Sequence, residues 1–148
     1  MKIEYIVARY QSAFEDIQKS LNNIIKQTVG TDIKIELFST LQFIVNRDYC
    51  TNTEIARAFE VGKSTITAQI NRLDEQGLIE KHRNAKDRRT IYLSATPKGL
   101  ALFETIKQEI FTLLEDRLAF VEDIEISTFL ASLEKLSNLL KNPQLPEK

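Results

Sequence analysis

Along the first stretch of the chain, Ile3, Ile6, Val7, Tyr10, Phe14, Ile17, Leu21, Ile24 and Ile25 recur at three- and four-residue steps. That is the period of one helical face. Gly30 reads as the stop, since glycine takes the left-handed conformation that ends helices. A helix of about 25 residues would be about 38 Å long at ~1.5 Å per residue, more than a small domain needs to cover its own core. A second helix is predicted from about Ile35 to Asn46, with Leu37, Phe38, Leu41, Ile44 and Val45 on one face. Thr51-Asn52-Thr53-Glu54 has the form of a capping box, Thr51 accepting from the Glu54 N–H while the Glu54 side chain reaches back. A short helix, Thr53 to Phe59, follows with Ile55, Ala56 and Phe59 inward. After the turn Glu60-Val61-Gly62, a helix from Lys63 to Gln76 buries Ile66, Ile70 and Leu73 and ends at Gly77.

Two alternating runs come next, Leu78 to Arg83 and Arg89 to Ser94, around the polar Asn84-Ala85-Lys86-Asp87-Arg88. They predict a β-hairpin. Thr96-Pro97 then supplies an N-cap and a first-turn proline. Leu100, Phe103, Ile106, Ile110, Leu113, Leu114 and Leu118 carry the helical period to a break near Glu122-Asp123. A last helix follows with Ile126, Phe129, Leu130, Leu133, Leu136 and Leu140 as its stripe, and Pro143 and Pro146 leave a frayed tail. The order of helix, short helix, three-residue turn, helix, hairpin and long helix is that of a winged helix–turn–helix. The fold expected is mainly α with a small β-hairpin wing and long N- and C-terminal helices. It forms a single domain over 1–148, with a winged-helix DNA-binding lobe at about 35–96 and dimerisation helices at about 1–30 and 97–141.

Composition adds exclusions. The chain has 148 residues, 43% hydrophobic and 28% charged, with one Cys and one His. This is globular composition. No apolar run reaches the ~18 residues of a membrane span, and the N-terminus lacks a secretory layout, so a cytoplasmic protein is expected. A lone Cys50 and a lone His82 leave almost no material for a disulfide, a metal site or nucleophilic catalysis. No enzyme activity and no cofactor are expected.

The net charge of −1 is unusual for a nucleic-acid binder until it is mapped. Between Gly62 and Lys98 stand Lys63, Arg72, Lys81, Arg83, Lys86, Arg88, Arg89 and Lys98, against Asp74, Glu75, Glu80 and Asp87. That segment carries +4, leaving −5 for the rest. A basic face on an acidic body follows.

Four stretches in this order resemble the MarR family of winged-helix regulators. Thr51-Asn52-Thr53-Glu54-Ile55-Ala56 is similar to the family's first motif helix, and Val61-Gly62-Lys63-Ser64-Thr65-Ile66-Thr67 to its turn and recognition helix. Asn71-Arg72-Leu73-Asp74-Glu75-Gln76-Gly77-Leu78-Ile79 is similar to the helix end and first wing strand. Lys86-Asp87-Arg88-Arg89, with Leu93 and Thr96-Pro97-Lys98-Gly99, resembles the wing tip and its exit. The resemblance implies a transcriptional repressor that binds double-stranded DNA as a homodimer and answers to a small-molecule effector.

With Ile66, Ile70 and Leu73 inward, the opposite face of the recognition helix carries Ser64, Ala68, Asn71 and Glu75, flanked by Thr65, Thr67 and Arg72. Ser64, Thr65, Thr67, Ala68 and Asn71 are the base-reading candidates. Ala68 would favour a thymine methyl. Lys63 and Arg72 are candidates for phosphate contact. At the wing the resemblance implies an arginine in the minor groove, for which Arg89 is the first choice. Asp87 would brace it by a charge-assisted hydrogen bond, and Arg88 and Lys86 complete the basic tip. Cys50 reads as a small buried hydrophobe rather than a redox sensor, and His82 as a surface residue or phosphate neighbour.

A winged-helix core of about 60 residues cannot cover all three long stripes. The resemblance implies that the terminal helices of two subunits intertwine, which sets recognition helices about 34–36 Å apart on a pseudo-palindromic site. The alternative function is a winged-helix protein–protein interaction module without DNA binding, which would have no need of the basic wing.

Overall fold

The computed structural model describes residues 1–29, 33–142 and 144. Gly30, Pro143 and Pro146, expected to end helices or begin the tail, lie outside the described residues. The chain divides into two units, Met1–Ile110 and Phe111–Lys148.

The first unit holds α1 (Ile3–Val29), α2 (Ile35–Val45), α3 (Asn52–Phe59), α4 (Lys63–Glu75), β1 (Ile79–Arg83), β2 (Ile91–Ala95) and the opening turns of α5 (Pro97–Leu118). Each helix end in the motif has an identifiable cause. Lys34 offers α2 no side-chain cap, and Asn22 of α1 fills the role by accepting the Ile35 N–H at 2.7 Å. At α3, Thr51 is extended and its Oγ1 accepts from the Glu54 N–H at 3.2 Å, the first half of the expected box.

The two motif helices end alike. Glu60 is left-handed at φ 53°, its N–H donating to Arg57 O while that of Val61 donates to Ala56 O. Gly77 is left-handed at φ 71°, its N–H donating to Asp74 O at 2.9 Å and that of Leu78 to Leu73 O at 2.9 Å. This paired pattern is the Schellman motif, and at α4 the accompanying apolar contact comes from buried Leu73 and Leu78.

The strands pair antiparallel with Lys81 opposite Leu93 and His82 opposite Tyr92. The second strand starts at Ile91 rather than Arg89. Arg88 and Arg89 belong to a turn closed by the Thr90 N–H donating to Asp87 O at 3.1 Å, which withholds them from the ladder. A third short piece was not foreseen. Cys50 bridges Leu93, giving its N–H to Leu93 O at 3.2 Å and accepting the Leu93 N–H at 2.7 Å.

The core of this unit gathers Leu37, Leu41 and Ile44 of α2, Ile55 of α3, Ile66, Ile70 and Leu73 of α4, Leu78, Ile79 and Leu93 of the wing base, and Phe103 and Ile106 of α5. Phe38 and Phe103 stack at 5.3 Å between centroids. Only one end of the α1 stripe joins in. Ile25 is buried, whereas Ile3, Ile6, Val7, Tyr10, Phe14 and Ile17 are exposed.

The second unit consists of the rest of α5 and α6 (Asp123–Lys141). The Glu122 N–H donates to Glu125 Oε2 at 3.0 Å, which holds the entry to α6. No residue of α6 is buried. Phe129 is 63% exposed and Leu140 78%, with Leu130, Leu133 and Leu136 also open. Among the described residues no helix is long and apolar enough to cross a membrane.

Candidate nucleic-acid interface

Burial of Ile66, Ile70 and Leu73 fixes which way α4 faces. Lys63, Ser64, Thr65, Thr67, Ala68, Asn71 and Arg72 are all exposed, so the seven candidates on this helix lie on its solvent side. They are not equally unengaged. Thr67 Oγ1 donates to Lys63 O at 2.8 Å and accepts from Asn52 Nδ2 at 2.6 Å. Asn71 Oδ1 accepts from Lys81 Nζ at 3.1 Å, and the same ammonium stands 3.5 Å from Asp74 Oδ2. Two base-reading candidates are therefore oriented by neighbours that sequence reasoning did not place in the site, Asn52 on α3 and Lys81 on β1. From the other side, the fully buried Thr40 of α2 bonds to Gln69 of α4 through its hydroxyl.

The far end of α4 is tied to the start of α5. Thr96 Oγ1 donates to Gly77 O at 2.6 Å, the Thr96 N–H to Leu78 O at 3.1 Å, and Lys98 Nζ to Gln76 O at 2.8 Å. Thr96 also caps α5 as expected, accepting the Gly99 N–H at 3.0 Å.

At the wing tip Lys86, Asp87, Arg88 and Arg89 are all exposed. Asp87 Oδ1 accepts the backbone N–H of Arg89 at 3.0 Å and its Oδ2 the Thr90 hydroxyl at 3.1 Å. The brace expected of Asp87 is thus applied to the Arg89 main chain, and Arg89 itself is exposed. Arg83 Nη1 donates to Arg88 O at 3.4 Å, and Asn84 Oδ1 accepts the Lys86 N–H at 3.0 Å. Three cations within four residues thus sit on a loop whose one acid is occupied with the loop itself. Field lines from such a tip favour a polyanion.

Cys50 is fully buried, and burial, reinforced by the nearby Glu54 carboxylate and opposed by Arg47, pushes its thiol up to about 11. A protonated thiol is a poor nucleophile, which suits the reading of Cys50 as packing. His82 Nε2 lies 2.8 Å from Ser94 Oγ and 3.7 Å from Glu80 Oε2, with the Tyr49 ring edge-on at 5.6 Å between centroids. It belongs to the outer face of the wing sheet. Among the described residues no cluster of His, Cys, Asp and Glu could hold a metal ion.

Comparison with known proteins agrees with this architecture. A model of the MarR family matches residues 33–91. A protein of Thauera aromatica named as a putative transcriptional regulatory protein for the hcr operon is 32% identical over 100 residues, covering 68% of this chain and 60% of that protein. The uncharacterised HTH-type transcriptional regulator YsmB of Bacillus subtilis is 32% identical over 139 residues, covering 85% of this chain and 92% of YsmB. Among solved structures, Streptococcus pneumoniae FabT in complex with DNA superposes with a TM-score of 0.82 at 22% identity, covering 97% of this chain and all of that one. The family model spans the helix–turn–helix and most of the wing, and the YsmB match runs along most of both chains. This chain belongs to the MarR family of transcriptional regulators.

Proposed function

We propose that this regulator binds double-stranded DNA as a homodimer, reads a pseudo-palindromic operator in the cytoplasm and represses transcription from it. The observation that carries the reading is the pairing, in one lobe, of the open face of α4 with the three-cation wing tip. Ser64, Thr65, Thr67, Ala68 and Asn71 would meet base edges in the major groove, and Lys63 and Arg72 the flanking phosphates. Arg89 would enter the minor groove, with Lys86 and Arg88 on the backbone beside it. In this reading residues 35–96 are the DNA-binding lobe, and helices within 1–30 and 97–141 join two subunits.

Homodimerisation is supported by apolar surface that a monomer would leave in water. Tyr10 and Phe14 stack at 5.6 Å on the open side of α1. α6 exposes Phe129, Leu130, Leu133 and Leu136 on its own account. Each helix thus leaves its own row of apolar side chains uncovered, which favours burial against a second copy. Repression is in keeping with the relative MdtR of Bacillus subtilis, an HTH-type transcriptional repressor that is 28% identical over 116 residues. A small effector would act by binding one spacing of the recognition helices better than another.

The test is selection of bound fragments from a random DNA pool, with light scattering on the same sample. A symmetric consensus bound by a particle of twice the chain mass is expected. No enrichment at any salt would favour the interaction-module alternative, and a monomer that binds one half-site would overturn the symmetric operator.

A further inference from the structure

In the ladder Lys81 stands opposite Leu93, and residues paired in this way point to the same side of a sheet. Leu93 belongs to the core, so Lys81 leaves β1 on the side of α4, away from the outer face that carries His82 and Tyr92. Its Nζ ends beside α4, where Asn71 Oδ1 accepts at 3.1 Å and Asp74 Oδ2 stands at 3.5 Å. The ammonium therefore lies in the crevice between the recognition helix and the wing. An ammonium has three protons to give. Asn71 takes one, Asp74 attracts a second from 3.5 Å, and the third has no acceptor among the described residues. Both members of the ion pair are partly open, at 35% and 44%. A pair so exposed is screened by solvent and binds its cation loosely.

Duplex geometry gives that crevice a use. The two strands of B-DNA divide its surface into major and minor grooves, so a phosphate backbone runs between any major groove and the minor groove beside it. With α4 in one groove and the wing tip in the other, that backbone has to cross the gap between them. Lys81 is the cation that β1 sends into the gap. An ammonium with a proton left to donate suits a phosphate oxygen.

Resting on the DNA-binding reading above, we infer that Lys81 is a further DNA-contacting residue, which grips the phosphate strand between the two grooves. Asn71 and Asp74 hold its ammonium in place before DNA arrives. Because the contact is to backbone, it fixes the register of α4 and the wing on that strand and adds affinity without choosing bases.

The experiment measures binding of the full chain, across a range of salt, to the fragment enriched from a random double-stranded DNA pool, for wild type, Lys81→Met and Lys81→Arg. In parallel, neutral methylphosphonates replace the phosphates of the fragment one at a time, and thermal melting of each protein controls for folding. Lys81→Met is expected to reduce the slope of log affinity against log salt by about one for each subunit bound, and Lys81→Arg to keep it. A methylphosphonate at one position per half-site should weaken wild type and Lys81→Arg about fivefold, the scale of one exposed charge pair, and leave Lys81→Met nearly unaffected. A lower affinity of Lys81→Met with the wild-type salt slope would make Lys81 a tie between β1 and α4 only and overturn the inference. Methylphosphonates that weaken Lys81→Met as much as wild type at every position would overturn it too. A wild-type protein that enriches no sequence removes the DNA reading itself, an outcome distinct from both.

Discussion

A Cβ built on Gly99 would stand 2.0 Å from the carbonyl oxygen of Leu78. The first turn of α5 therefore packs directly onto the main chain that joins α4 to β1, and the obstacle is backbone, which cannot swing aside as a side chain would. Gly99→Ala is expected to lower stability by about 3 kcal/mol, the upper part of the usual range for overpacking. Urea denaturation followed by circular dichroism measures it, and a loss below the error of the method would mean that the junction has slack.

Glu60 sits in the left-handed region at φ 53° and ψ 42°. That conformation costs an L-residue about 1–2 kcal/mol, partly offset on substitution by the larger unfolded-state entropy of glycine. Glu60→Gly should therefore raise the urea midpoint, with a net gain of roughly 0.5–1 kcal/mol. A lowered midpoint would show that the glutamate side chain contributes more than the strain removes.

The wing separates charge from shape. Arg89→Ala should weaken DNA binding and reduce the slope of log affinity against log salt by about one. Asp87→Ala makes the tip more positive, so charge alone would tighten binding. It also removes the bonds to the Arg89 N–H and the Thr90 hydroxyl. Weaker binding, by about 1 kcal/mol, is expected with the salt slope kept. Tighter binding at every salt concentration would mean that the turn does not depend on Asp87.

Cys50 links stability to alkaline pH. Its thiol is raised from 9.0 to about 11 in the folded chain, chiefly by burial. The unfolded chain thus gives up this proton first, and the stabilisation is complete below pH 9.0 and is lost as pH rises toward about 11. Unfolding free energies of wild type should fall more steeply across that window than those of Cys50→Ala. Parallel curves would place the alkaline loss elsewhere. At neutral pH a thiol reagent should label Cys50 only as fast as the domain opens.

Much of the lobe was legible because its signals are local. Thr51, Gly77 and Thr96-Pro97 mark ends through their own backbone preferences, and Ile66, Ile70 and Leu73 orient α4 by spacing alone. The contacts that have no local signal join residues far apart in sequence. Cys50 meets Leu93, Asn22 caps α2 at Ile35, and Asn52 reaches Thr67. None leaves a period or a turn residue to read, because each depends on how finished elements lie together. The second strand starts at Ile91 and not at Arg89 for a related reason. Arg89 alternates correctly for a strand, but the Asp87 carboxylate offers its N–H a nearer acceptor. The α1 stripe announced an amphipathic helix without saying that only its Ile25 end would be covered within the chain.

The joint between α4 and α5 also bears on motion. Three successive carbonyls, those of Gln76, Gly77 and Leu78, are each gripped by Thr96 or Lys98. Bending this joint would have to break several of these bonds at once, so it would act as a crank rather than a hinge. Torque applied to the first turn of α5 would reach α4 as a tilt of the whole rod, delivered to the end remote from Lys63 and swinging that residue through the widest arc.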